Sequence, residues 1–260
     1  MFRVLIYRGT GNLGDAMQTV ALCRLLGTRC QGLYRDEQFP LTDPNVPLIV
    51  NGWLGYREPD LNVPALFAGV HIARHHQAFA AWMKKSPFQI GARDPFTASL
   101  LRGVAPCEMV GCATLTFDRY RGPRSGRYSI DVPLVPGTIA LSQSIGSISW
   151  NAQWKQAIEQ LELLRSADLV YTSRLHVVLP CLAFGTPVVF PLSEIESVAQ
   201  RERLTLLNEL PFQFDQPVVA DVSEMAQRFV TLLTKLAGTL QPAKISATPL
   251  PIPRSYRARR

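Results

Sequence analysis

The chain has 260 residues, of which 47% are apolar and 18% charged, and it carries a formal net charge of +7. That apolar content builds hydrophobic cores and excludes a disordered chain, and the length is roughly twice a common domain of about 100–150 residues, so two compact domains are expected. The positive balance suits an anionic partner, with phosphorylated small molecules, nucleic acid and an acidic membrane face all open on charge alone.

Short apolar runs alternate with amphipathic stretches from the first residue, the pattern of β-α units laid on a mostly parallel sheet. Residues 2–7 read as a strand and 16–26 as a helix. Residues 47–50 make a buried strand ending at Asn51-Gly52, 66–70 a further one, and 88–90 a third that runs into Gly91-Ala92-Arg93-Asp94. Pro95 suits the first turn of a helix reaching Arg102, because its missing N–H costs nothing there. Between 118 and 137 the composition shifts to Arg, Gly, Pro and Ser, with the run 121–127 reading Arg-Gly-Pro-Arg-Ser-Gly-Arg, and this predicts a linker. Strands are then expected over 138–142, 169–172 and 187–190, and helices over 151–165, 175–184 and 222–236. The resulting division is an N-terminal Rossmann-like domain over 1–122, a C-terminal one over 123–240, and a basic Pro-rich tail over 241–260. That tail ends with Arg254, Arg257, Arg259 and Arg260 and no acid among its last seven residues, which predicts a solvated segment able to touch an acidic membrane face.

No apolar run approaches the ~18–20 residues of a membrane-spanning helix, and an opening strand followed by a glycine-rich turn is not the pattern of a signal peptide. The five cysteines (Cys23, Cys30, Cys107, Cys112 and Cys181) form no Cys-x-x-Cys pair. An odd, unpaired set argues against a disulfide framework and a zinc knuckle, so a cytoplasmic setting is expected. His71 and His75 stand four residues apart, but Arg74 lies between them and no Glu follows His71, so no metal site is expected. No nucleic-acid-binding motif is present, and nucleic acid is not an expected partner.

Three stretches carry chemistry. The first, Gly9-Thr10-Gly11-Asn12-Leu13-Gly14-Asp15, follows the opening strand and starts a helix, leaving backbone N–H groups free for an anion or a sugar. Gly9, Gly11 and Gly14 fit a dinucleotide fingerprint literally, but no acid stands at the ribose position before Asp36 and Glu37. Asp15 reads equally as a helix N-cap or as a group that contacts an acceptor and moves a proton. In the second stretch, 90–97, Arg93 ends a strand and either grips a carboxylate or phosphate at two points or pairs with Asp94. In the third, Tyr171-Thr172-Ser173-Arg174-Leu175-His176, Ser173 is placed to cap a helix whose first turn carries Arg174 and His176, with the positive helix end behind them. Trp53 and Tyr56, after Asn51-Gly52, either stack on a sugar ring or pack in a core.

Taken in order, Gly11-Asn12-Leu13-Gly14-Asp15, Asn51-Gly52-Trp53, Ile90-Gly91-Ala92-Arg93-Asp94 with Thr97, Gly111-Cys112-Ala113-Thr114-Leu115-Thr116, and Ser173-Arg174-Leu175-His176 with Gly185-Thr186-Pro187 resemble the polysaccharide pyruvyl transferase family. The resemblance runs through residues 3–190. It implies a GT-B-like fold of two Rossmann-like domains facing across a cleft, phosphoenolpyruvate as donor and co-substrate with no further cofactor, and a sugar hydroxyl pair of a glycan or lipid-linked precursor as acceptor. It also implies that Arg93 and His176 face the donor. Ala92 stands where relatives often carry cysteine, and the chain is shorter than many members.

Forming a pyruvate ketal from an enol ether phosphate needs a proton at the methylene carbon, stabilisation of positive charge at the central carbon, and release of phosphate. Arg93, Arg174 and Ser173 are accordingly expected to bind the donor, His176 to act as acid or phosphate ligand, and Asp15 to act as base. Asn12, Asn51 and Trp53 are expected on the acceptor side. The rival within the same scaffold is a nucleotide-sugar-dependent glycosyltransferase, which would bind a nucleoside diphosphate.

Overall fold

A computed structural model of the chain describes residues 2–6, 11–27, 30–34, 48–54, 65–73, 83–84, 86, 88–146, 148–195 and 197–238. It is a mixed α/β fold built on two parallel sheets. The first contains β1 (Phe2–Ile6), β2 (Cys30–Tyr34), β3 (Leu48–Leu54), β4 (Ala65–Ile72), β5 (Ile90–Ala92) and β6 (Cys107–Met109), in the order β2-β1-β3-β4-β5-β6. The second contains β7 (Arg127–Ile130), β8 (Ile139–Leu141), β9 (Leu169–Thr172) and β10 (Val188–Val189), in the order β10-β9-β7-β8. Strand order reverses between β1 and β3 in one sheet and between β7 and β9 in the other. In open parallel sheets, the carboxyl ends of the strands at such switch points are where ligands bind.

Helix α1 (Leu13–Leu26) follows β1, and twelve of its fourteen residues are buried. A helix buried on all sides must have elements packed all round it. Val4, Ala21, Leu22 and Ile49 form one cluster, while Leu13, Ala16, Met17 and Val20 enter the core of the second sheet with residues of α3 (Trp150–Ser166) and α4 (Leu175–Phe184). The two sheets are also stitched directly: Leu13 N donates to Gln143 O at 2.9 Å and Ile145 N to Gly11 O at 2.8 Å. The carboxyl edges of both sheets therefore meet around the start of α1.

The last described helix, α6 (Ser223–Gly238), lies on the first sheet, where Phe229, Leu232 and Leu233 join the cluster of Val4 and Leu66. Glycines make room for it. A Cβ on Gly111 would stand 2.6 Å from Met225 Cγ, and one on Gly69 would stand 2.7 Å from Phe229 Cε2. At Gly91, whose backbone is ordinary, a Cβ would run into Leu232 Cδ2 and lie 2.8 Å from Val110 Cγ2. Gly91→Ala is therefore expected to destabilise the protein by about 1–3 kcal/mol through overpacking. Urea unfolding at unchanged m-value checks this; an unaltered midpoint would show that α6 yields at no cost.

The expected strands and helices stand where described, with ends shifted by a few residues. The linker over 118–137 is corrected: it contains β7, which pairs with β8 on one side and β9 on the other. Only Tyr128 and Ile130 are apolar in this four-residue strand, so its character comes from two neighbouring strands rather than its own composition. Arg124, in the same stretch, is structural too. Its guanidinium donates to the carbonyls of Arg165 and Ala167 at the end of α3 and of Phe184 and Gly185 at the end of α4, at 2.9–3.3 Å. A cation at two helix C-termini meets orphan carbonyls and opposes both dipoles. The strands β2 and β6 and the helix α5 (Val198–Leu204) were not anticipated. The tail over 241–260 lies outside the described residues. Among the described residues, no helix is long and apolar enough to cross a membrane.

Candidate functional site

At the edge of the first sheet, Ala92 ends β5 and Arg93 N donates to Val70 O at 2.8 Å, turning the chain into α2 (Pro95–Leu101). Asp94 caps α2, its Oδ1 accepting from Thr97 N at 2.9 Å. Its Oδ2 takes Arg93 Nε at 3.1 Å and lies 2.7 Å from His71 Nδ1 at the end of β4. The Thr97 hydroxyl accepts Ile72 N at 3.1 Å. Arg93, Asp94, His71 and Thr97 are all buried. Buried charges persist where they are paired, and Asp94 has two partners. Arg93 is only half used: its Nη2 is buried with no hydrogen-bond partner among the described residues.

At the edge of the second sheet, β9 ends at Thr172, whose hydroxyl accepts Arg174 N at 3.0 Å. Helix α4 starts at Leu175 with Arg174 in the capping position. Ser173 is not the cap: its hydroxyl donates to Asp131 O at 2.6 Å. Arg174 Nε donates to Asp131 Oδ2 at 2.8 Å, and that carboxylate also accepts Ser142 Oγ at 2.6 Å and Gln143 N at 3.0 Å. Arg174 thus stands half-exposed on a carboxylate pinned at the β7/β9 switch point. His176 lies in the first turn of α4, with its Nε2 buried and unpartnered among the described residues. Gly14 lets the start of α1 close over it, since a Cβ there would lie 2.9 Å from His176 Cβ and 3.1 Å from its Nδ1.

These two edges form one electrostatic unit. Burial, then Arg93, Arg203 and His71, hold the His176 imidazole well below its ordinary value of 6.5. Burial and Arg93 also lower His71, against the raising effect of Asp94. Arg203 comes from α5, and its guanidinium sits 5.6 Å from the centre of the Trp53 ring on β3. Thr205, just after α5, accepts Phe96 N at 3.4 Å and ties that end of the helix to α2. Arg93 and Arg203 thus act on both histidines, His71 is bonded to the carboxylate of Asp94, and Arg93 Nη2 and His176 Nε2 have no hydrogen-bond partner among the described residues. Such a site fits a ligand carrying more than one negative charge.

The lowered histidines give a pH expectation. Below about 6.5 the unfolded chain binds protons that the folded histidines refuse, so stability should rise with pH through that region and be lost as pH falls below it. For Asp94, burial raises the carboxyl, but the His71 hydrogen bond and Arg93 outweigh it and leave it below its ordinary 3.8, so its contribution is lost only in stronger acid. Melting temperatures from about pH 8 to about pH 5 check this, and a curve flat through that range would contradict the buried histidines.

Among the residues singled out in the sequence, Arg93 and His176 are brought together. Arg93 does pair with Asp94, and keeps a free nitrogen besides. Asn12, not Asp15, caps α1, its Oδ1 accepting Gly14 N at 2.9 Å; Asp15 is half-buried in the first turn. Asn51 is buried in β3 and Trp53 underlies Arg203. Tyr56, His75, His76, Gly9 and Thr10 lie outside the described residues. Among those described, no group of three or more His, Cys, Asp or Glu is placed to hold a metal ion. The residue missed altogether is Arg203. A readable signal preceded it, because Ser197 and Gln200 form a capping box that announces α5.

A model of polysaccharide pyruvyl transferases matches residues 12–193, most of the chain and nearly the whole site. The chain belongs to the polysaccharide pyruvyl transferase family. It is accordingly a transferase, and the family implies a polysaccharide acceptor. Arg203 falls outside the matched span. No curated protein matches the chain. Among solved structures, a functionally uncharacterised protein of Klebsiella pneumoniae subsp. pneumoniae NTUH-K2044, KP1_0663, is 11% identical with a TM-score of 0.50, over 85% of this chain and 93% of that one. The UDP-GlcNAc 2-epimerase of Methanocaldococcus jannaschii, solved with UDP-GlcNAc and UDP, is 11% identical with a TM-score of 0.35, over 90% of this chain and 100% of that one. The first likeness concerns the fold alone.

Proposed function

We propose that the chain transfers the pyruvate group of phosphoenolpyruvate to a hydroxyl pair of a sugar in a glycan or lipid-linked precursor, forming a pyruvate ketal and releasing phosphate. The observation that carries this reading is the pair of unused buried nitrogens, Arg93 Nη2 and His176 Nε2, in a cluster completed by Arg203. Phosphoenolpyruvate bears its carboxylate and its phosphate on the same carbon, and planar guanidinium groups meet both with paired hydrogen bonds. Arg174, half-exposed beside Ser173, supplies a further cation to the phosphate. With the ligand's charge in place, the penalty that Arg93 and Arg203 impose on a protonated histidine is removed, and the site gains an acid at working pH.

In this reading, residues 1–122 and 123–240 form two Rossmann-like halves of a GT-B-like arrangement, with the acceptor on the side of α1 and β3. Asn12, Asn51 and Trp53 line that side, and Asp15 takes a proton from an acceptor hydroxyl. The reaction proceeds in the cytoplasm, and the basic tail brings the enzyme to an acidic membrane face when the acceptor is lipid-linked.

Mass spectrometry of a panel of sugar acceptors, incubated with the protein and phosphoenolpyruvate, tests the reaction. A mass gain of one pyruvate ketal with equimolar phosphate is the expected result. Stabilisation by UDP or GDP in a melting scan, with none by phosphoenolpyruvate, would instead indicate a nucleotide-sugar transferase.

A further inference from the structure

Two histidines approach the site, and the structure sets them in opposite surroundings. His71 Nδ1 lies 2.7 Å from Asp94 Oδ2, and that carboxylate is fixed by Arg93 Nε and by Thr97 N. Among the described residues His176 has no carboxylate partner, and the titratable groups acting on it are Arg93, Arg203 and His71. His71 faces Arg93 and Asp94 from the β5–α2 turn and Arg203 from α5. It lies at the carboxyl end of β4, buried under Phe96 with ring centres 5.9 Å apart.

A histidine bonded through Nδ1 to an ionised carboxylate has its tautomer and orientation set, so that Nε2 is the nitrogen that exchanges protons. No described group hydrogen-bonds to His71 Nε2. Asp94 also favours the charged ring, against burial and the arginines, and an anion that neutralises the arginines removes their share of that opposition. His176 lacks any such partner, so an arriving anion finds there a hydrogen-bonding ring and not a preferred proton carrier.

We propose that His71, held by Asp94, is the group that protonates the donor's methylene carbon, and that His176 is a ligand of the donor's phosphate. This rests on the pyruvyl transfer proposed above. The His71 Nε2–H bond breaks as the electron pair of the donor's double bond forms a C–H bond, turning methylene into methyl. The central carbon, now electron-poor, is captured by an acceptor oxygen, whose proton passes to Asp15. The C–O bond to phosphate breaks with its electron pair leaving on phosphate, and the second acceptor oxygen closes the ketal and gives its proton to that phosphate. Proton return from Asp15 through solvent restores His71. One hydroxyl proton ends in the methyl group and the other on phosphate, so the balance closes.

His71→Asn is the variant that separates the roles. Its amide N–H takes over the Nδ1 position towards Asp94, but nothing replaces Nε2. It is expected to fold by circular dichroism, to keep the melting shift with phosphoenolpyruvate, to lose turnover by roughly 100-fold or more, and to lose the alkaline limb of the kcat–pH profile. Parental turnover, or an unchanged alkaline limb, would overturn the proposal. A second measurement needs no turnover: 15N resonances of both histidines, with phosphoenolpyruvate and separately with inorganic phosphate. The ligand should charge His71 and leave His176 neutral. The reverse result, or a His71 carrying its proton on Nε2 alone, overturns the assignment. If the parent binds these anions and charges His71 but releases no phosphate from phosphoenolpyruvate, the donor reading fails while the assignment of the proton carrier stands. If neither anion shifts the melting temperature, the anion site and the proposal fall together.

Discussion

His176→Ala should lower kcat/KM for phosphoenolpyruvate by roughly 10–150-fold while leaving circular dichroism and urea unfolding near those of the parent. A hydrogen bond to a charged ligand is worth about 1.5–3 kcal/mol, and each 1.36 kcal/mol is tenfold in rate. The fold should tolerate the change because Nε2 has no partner among the described residues, so no buried group loses one when the ring goes. His176→Gln places an amide N–H near the position of Nε2 without a titratable group. It should recover most of the lost donor binding if the ring holds phosphate. Wild-type kinetics in the alanine variant would remove His176 from the site, and the anion cluster would then have to work through its arginines alone.

Arg93→Lys should weaken donor binding by about 10–150-fold, on the same scale of 1.5–3 kcal/mol for a lost charged hydrogen bond. The reason is a division of labour within one side chain. Arg93 Nε holds Asp94 at 3.1 Å, while Nη2 is left over. A lysine ammonium is one point charge and must either keep Asp94 or turn to the donor. If it keeps Asp94, stability survives and affinity falls. Arg93→Ala should in addition cost about 3 kcal/mol of stability, because it strips a buried carboxylate of its cationic partner. The melting shift with phosphoenolpyruvate separates the two effects. A lysine variant with unimpaired affinity would reduce Arg93 to a structural ion-pair residue.

Much of the site was legible because strand ends and helix starts leave local marks. Pro95 at a helix start, the glycines before α1 and the apolar run before Ser173 located three loops at carboxyl ends of strands, and the motifs within them pointed to the family. What escaped had no local mark, or one that went unused. Strand β7 is a strand because β8 and β9 flank it. Gly91, read as part of a ligand loop, and Gly111, noted only for the family resemblance, serve to seat α6, a helix more than a hundred residues away in the chain. Asp131, which anchors both Ser173 and Arg174, lay inside the supposed linker.

The sequence by itself determined the alternation of strands and helices, the parallel character that follows from it, the placement of Arg93 and His176 at strand ends, and the resemblance to the family. These are short-range facts, set by period, by turn residues and by spacing within a few positions. Only the tertiary structure decided which charges meet. Arg93 leaves the first sheet, His176 leaves the second, and the exposed Arg203 arrives from α5, and nothing in the order of residues says that both arginines act on one histidine. Whether a histidine there is neutral, whether Asp94 serves Arg93 or His71 or both, and which nitrogen remains unpaired depend on burial and on distances of about 3 Å across separate elements, where desolvation and direct contact outweigh any local preference.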